Sequence, residues 1–157
     1  MKTDFLIEPI ARHQVEEWFR LSDARLAERH GQWLIADSQP GYPCRISLEE
    51  AQLGERVLLI PYLHHDVASP YRASGPIYLR EQAQTATLAI NAIPPILAER
   101  LLSVRAYTQA GMMRQACTTQ GAPLTGVIQQ AFHDPKVAYL QIHNANPGCF
   151  NCTVRRV

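Results

Sequence analysis

Apolar residues recur along this chain in two periods, and the places where one period gives way to the other divide it into elements. Phe5 to Ile10 reads as a short apolar strand, and His13 to Leu21 then sets Val15, Trp18, Phe19 and Leu21 at roughly helical spacing, the stripe of an amphipathic helix. Ser22 and Asp23 cap a second helical stretch through Arg29, and Gly31 is expected to end it in the left-handed conformation. Trp33 to Ala36 is too short an apolar run for a helix and is expected as a strand.

Pro40, Gly41 and Pro43 force a turn, and Ser47 followed by Glu50 has the form of a capping box, predicting a single helical turn ended by Gly54. Arg56 to Leu63 reads as a buried strand, Ile77 to Arg80 as another, and the alternation in Thr85 to Ile90 as a third. Pro94 and Pro95 suit the first turn of a helix running to Leu101, where a missing N–H costs nothing.

LLSVRAY and MMRQACTT flank TQAG as a hairpin turned at Gln109 to Gly111. Leu124 to Phe132 is a short amphipathic helix stopped by Asp134 and Pro135, and Val137 to His143 with Thr153 to Val157 makes a last hairpin. Strands outnumber helices without alternating with them, which argues against a doubly wound parallel sheet. The expectation is an α+β protein: one globular domain over 1–157, with a mostly antiparallel curved sheet and short helices packed on one side.

Composition narrows the function classes more than the fold. A chain of 157 residues, 46% hydrophobic and 18% charged, is long enough to bury a core without disulfides. Fifteen basic against fourteen acidic side chains give a net charge of +1, so no global field favours nucleic acid or an anionic membrane as partner. MKTDFLIEPIARH lacks the apolar core of a signal peptide, and nothing approaches a membrane-spanning run, so the expected setting is the cytoplasm. There Cys44, Cys117, Cys149 and Cys152 are read as reduced thiols, for which metal or redox chemistry precedes structural disulfides.

The familiar phosphate-loop, dinucleotide, zinc-protease and hydrolase-elbow motifs are all missing. Chemistry is left to two segments. HNANPGCFNC holds His143, Cys149 and Cys152, a C-x-x-C behind a Pro-Gly turn that can place two thiolates on one ion. A tetrahedral zinc site would take Cys44, from the rigid PGYPC turn, as its fourth ligand. A dithiol redox pair is disfavoured, because TVRRV behind the cysteines is strand-like and supplies no helix N-terminus to activate a thiol. The plainest alternative is that both cysteines are small apolar residues filling the end of a hairpin.

SPYRASGPIYLRE is the second segment, a loop offering a guanidinium fork at Arg72, hydroxyls at Tyr71 and Ser74, and free backbone donors to an anion. Arg105 and Tyr107 share one face of the strand SVRAY, which either lines a cleft or merely faces solvent. PGYPCRISLEEA, GERVLLIPY, SPYRASGPIYLRE, RLLSVRAY, GMM and HNANPGCFNC follow one another in this order. Together they resemble the bacterial family known as domain of unknown function 1203, from about Asp37 to the C-terminus. That resemblance implies a bacterial, cytoplasmic, single-domain protein and assigns no residue a role.

The functional expectation is therefore a small enzyme or ligand-binding protein whose pocket joins the PGYPC turn, the SPYRASGP loop and the C-terminal hairpin around a small anionic ligand. Arg72, Tyr71, Ser74 and Arg105 would bind and orient it, and His143, Cys149 or Cys44 would carry any proton transfer or nucleophilic step. The competing expectation is a non-catalytic protein in which zinc on Cys44, His143, Cys149 and Cys152 staples the last hairpin.

Overall fold

Alternating apolar positions settle into two antiparallel sheets in the computed structural model, which describes residues 2–157. The larger sheet has the order β1-β8-β7-β5-β6, built from β1 (Phe5–Glu8), β5 (Leu101–Tyr107), β6 (Met113–Gln120), β7 (Tyr139–Asn144) and β8 (Phe150–Arg156). The smaller runs β2-β3-β4, from β2 (Gln32–Ile35), β3 (Arg56–His65) and β4 (Ala73–Arg80). Four short helices complete the α+β class: α1 (Arg12–Phe19), α2 (Asp23–Glu28), α3 (Pro95–Ala98) and α4 (Leu124–Ala131).

Each sheet has its own main core under a different pair of helices, and a third, small cluster of Ala36, Ala51 and Val57, with Leu34, Tyr42 and Tyr78 against it, covers part of the other face of the smaller sheet. Leu102, Val104, Ala106, Leu140 and Ile142 on the larger sheet meet Ile96 and Leu97 of α3 and Leu124 and Ile128 of α4. Leu58, Ile60, Ile77 and Leu79 on the smaller sheet meet Val15 of α1 and Leu26 of α2. The expected single curved sheet is thus divided in two, and its helices are shared between the halves.

What joins the halves is a bulge in β8. His143 pairs with Phe150 while Ile142 pairs with Cys152, so Asn151 is the extra residue. Without it Phe150 and Cys152 would point the same way, since strand side chains alternate. With it Cys152 enters the first core and Phe150 the second.

Four local expectations are corrected. Thr85 to Ile90 forms no strand: Ala86 N–H donates to Ile46 O at 2.9 Å, and Ala86 and Leu88 lie on the first core as a covering loop. The helix expected to reach Leu101 ends at Ala98, and Leu101 instead opens β5.

The Ser47–Glu50 box does not form a helix, because both members are taken elsewhere. Glu50 Oε2 accepts from the backbones of Gly41 and Tyr42, each at 3.2 Å, and Ser47 Oγ accepts from Arg80 Nη1 at 3.2 Å. After α2 the left-handed residue is His30, at φ 63°, and not Gly31. Gly31 leaves room for Leu26, whose Cδ1 lies 2.6 Å from where a Cβ would stand.

Candidate functional site

Arg45 follows Cys44 directly in the PGYPC turn, and its backbone N–H donates to Tyr78 O of β4 at 3.1 Å. This carries the side chain into the seam between the sheets, where it is 1% exposed. Nε donates to Phe150 O of β8 at 2.8 Å, and Nη1 donates to Pro43 O. Among the described residues no carboxylate lies within 4.0 Å of the guanidinium. Burial pushes its pKa below the ordinary value, and the Cys149 sulfur opposes that shift by charge and by hydrogen bonding.

Beside Arg45 opens a cavity of about 570 Å³. Gly41 and Pro43 from the turn, Pro76 and Tyr78 from β4, and Asn144 and Cys149 from the C-terminal hairpin line it. Arg100, from the α3–β5 junction, also faces it, but its guanidinium is engaged by Glu50 in an ion pair. Among the described residues, the Arg45 charge is therefore the one at this cavity without an acidic partner.

The half-buried Cys149 sulfur has a fixed environment. Asn144 Nδ2 donates to Sγ at 3.2 Å. Asn144 is oriented in turn by Asn151, the bulged residue, whose Nδ2 donates to Asn144 Oδ1 at 2.8 Å. Asn151 Oδ1 is itself buried without a partner.

His143 lies behind this turn and not in the cavity. Its ring is buried, with Nδ1 donating to Gly148 O at 2.9 Å, which pins the peptide just before Cys149. Burial is the main cause that lowers its pKa to about 3, with the Arg105, His64 and His65 charges adding to the effect, so the ring is neutral near pH 7. The neighbouring polar face of the larger sheet carries Ser103, Arg105, Tyr107, Tyr139 and Gln141, paired across β5 and β7. Gln141 Oε1 accepts from His64 Nδ1 at 3.0 Å while Gln141 Nε2 donates to His64 O at 2.7 Å, tying β3 to β7.

The residues expected to form one site are therefore split. Cys149 lines the cavity; Cys44 precedes Arg45 in the chain but does not line it, being fully buried and accepting from Arg80 N–H at 3.3 Å. Arg105 bonds Ser103 Oγ at 3.2 Å on the polar face. Arg72 pairs with Asp66 at 3.3 Å at the opposite end of the β3–β4 hairpin. Cys44 bridges to Tyr78, so the run from Ala73 to Tyr78 separates it from Arg72 by roughly 17 Å at 3.3 Å per residue.

Tyr71 and Ser74 share that remote end, where Tyr71 O accepts from His65 Nδ1 at 2.7 Å. Residues that sequence reasoning missed, Arg45, Arg100, Tyr78 and Asn144, make most of the polar lining instead.

The four residues expected as zinc ligands are not gathered at one point. Among the described residues, no three His, Cys, Asp or Glu side chains come together as ligands. Cys152 is sealed in the first core, where burial pushes its thiol up to about 12. The spacing C-x-x-C needs a tight turn to converge, and here it runs into a strand.

An antiparallel two-sheet α+β protein with a buried arginine at the sheet junction is the class that fold and site define. The chain belongs to the family described as protein of unknown function (DUF1203), whose model matches residues 41–156. That stretch contains the cavity, its arginines and the complete C-terminal hairpin. No curated protein and no solved structure matches the chain. Among the described residues no helix is long and apolar enough to cross a membrane.

Proposed function

We propose that this protein binds a small organic anion, such as a carboxylate, in the cavity between the PGYPC turn and the C-terminal hairpin. The observation that carries the reading is Arg45: a guanidinium 1% exposed, lining a cavity, with no carboxylate among the described residues within 4.0 Å. A buried charge is costly unless it is paired, and two carbonyl bonds only partly compensate. A ligand anion would complete the set, with Asn144 and Tyr78 as further polar contacts and Pro43, Leu59 and Pro76 against its apolar part. A volume of about 570 Å³ lies within the range of small-ligand sites.

The roles first expected of Arg72, Tyr71 and Ser74 pass in this reading to Arg45, Tyr78 and Asn144. Four free cysteines fit a reducing bacterial cytoplasm as the setting. Isothermal titration of the whole protein with succinate and with inorganic phosphate tests it. Saturable one-site binding is expected, weakened at least tenfold in a folded Arg45→Met variant. Equal binding by wild type and variant, or none by wild type to either anion, would overturn it.

A further inference from the structure

The four cysteines of this chain occupy four different environments, and only one combines access with polar donors. Cys44 and Cys152 are fully buried. Cys117 is exposed on β6, beside an apolar groove lined by Val104 and Ala106. Cys149 lines the junction cavity, its sulfur accepting from an asparagine amide whose orientation is set by a second asparagine. The independent observation that marks this as a built site is the buried Arg45 guanidinium lining the same cavity. Its Nε bond to Phe150 O holds it at the residue that follows Cys149 in the chain.

We propose that Cys149 is a catalytic thiol that reduces organic hydroperoxides, Arg45 stabilising the oxygen anion that departs. The inference rests on the reading of this cavity as anion-binding, and names the anions it would meet: an alkoxide and a cysteine sulfenate. Thiolate, the nucleophilic form of cysteine, attacks the outer oxygen of RO–OH. An S–O bond forms, the O–O bond breaks, sulfur is oxidised by two electrons and the peroxide is reduced by two. The alkoxide takes a proton from solvent and leaves as ROH, and Cys149 is left as a sulfenic acid, the first step of cysteine oxidation.

A low-molecular-weight thiol restores the site. One equivalent condenses with the sulfenic acid, releasing water and forming a mixed disulfide. A second attacks that disulfide on the sulfur of the small thiol, freeing Cys149 and releasing the oxidised small disulfide. The buried Cys44 and Cys152 do not take this part. An organic peroxide fits better than hydrogen peroxide, because the cavity is far larger than two oxygen atoms and its walls include Pro43, Leu59, Pro76 and Leu101.

Cys117 provides a control within the same molecule. The reduced protein is exposed to limiting cumene hydroperoxide with dimedone present to trap sulfenic acid, and both cysteines are read by peptide mass spectrometry. If exposure alone governed reactivity, Cys117 would lead. The proposal expects Cys149 to be trapped at least tenfold faster, and Asn144→Ala to cut the Cys149 rate severalfold without changing Cys117. With excess dithiothreitol, repeated turnover of cumene hydroperoxide is expected and Cys149→Ser should abolish it.

Trapping at Cys149 no faster than at Cys117 in the wild type overturns the proposal, whether or not the Asn144 variant folds. Alkylation by iodoacetate against iodoacetamide separates this failure from failure of the anion site. If iodoacetate is still favoured at Cys149 relative to Cys117, the peroxide step falls and the anion cavity stands. If neither preference is seen, both fall.

Discussion

His143 shows how a single buried ring can tie acidity to stability. Its pKa falls to about 3 in the folded chain, against about 6.5 for an unperturbed histidine. Between those values the unfolded chain binds more protons, so stability rises with pH there. The contribution is fully present above about pH 6.5 and is lost as pH falls toward 3. Urea titrations between pH 6 and pH 4 are expected to lose roughly 1.4 kcal/mol per pH unit from this group. His143→Gln should flatten that slope; an unchanged slope would mean another group is responsible.

Arg45 acts at the same scale through bonds rather than protonation. Arg45→Met keeps much of the side-chain volume but leaves Phe150 O and Pro43 O without their donor. Each lost partner in a buried setting costs about 1–3 kcal/mol, so a destabilisation of about 2–6 kcal/mol is expected by denaturant unfolding. The sequence pattern offered no hint of this role. Cys44, Arg45 and Ile46 are all buried, so no alternation marks the arginine, and its partners lie as far away as Phe150.

Elements whose signals are local were legible, and those decided by distant partners were not. The β5–β6 hairpin and α4 follow from turn residues and periodicity that act within a few positions. The capping box failed because Glu50 found donors at Gly41 and Tyr42, and Thr85 to Ile90 failed because alternation also suits a loop laid over a core. C-x-x-C looked like a knuckle until β8 began at Phe150, and the bulge at Asn151 could not be read from sequence at all. Two of the segments that line the candidate cavity, the PGYPC turn and the C-terminal hairpin, stood out in the sequence, but its charged anchor did not.

Gly111 tests the element scale directly. It turns the β5–β6 hairpin at φ 79°, a Cβ there would meet Val67 at 2.7 Å, and its carbonyl accepts from Ser69 Oγ at 2.8 Å. Left-handed strain alone costs a residue with a side chain about 1–2 kcal/mol. Gly111→Ala is therefore expected to destabilise by about 2 kcal/mol or more, whereas a glycine present only by accident would tolerate alanine without loss in thermal unfolding.

At the scale of the molecule, the two cores are linked by Phe150, by Arg45 and by the reciprocal His64–Gln141 pair. Both tryptophans, Trp18 and Trp33, pack on the second core alone. Their fluorescence therefore reports one half of the protein, while far-UV circular dichroism reports both. Coincident denaturant transitions by the two probes are expected if the halves unfold as one unit. An early tryptophan transition would show that the junction does not couple them.

The cavity's position at that junction makes any occupant a clamp as well as a guest. Its walls come from the turn, from β4 and from the C-terminal hairpin, a set that exists only while both sheets are docked. Ligand bound at a hundred times its Kd would add about 2.7 kcal/mol to the folded state. For a chain of this size that is a rise in Tm on the order of 5–10 °C. The melting temperature of the protein thus becomes a gauge of cavity occupancy, through which a cognate molecule can be found by screening before any reaction is observed.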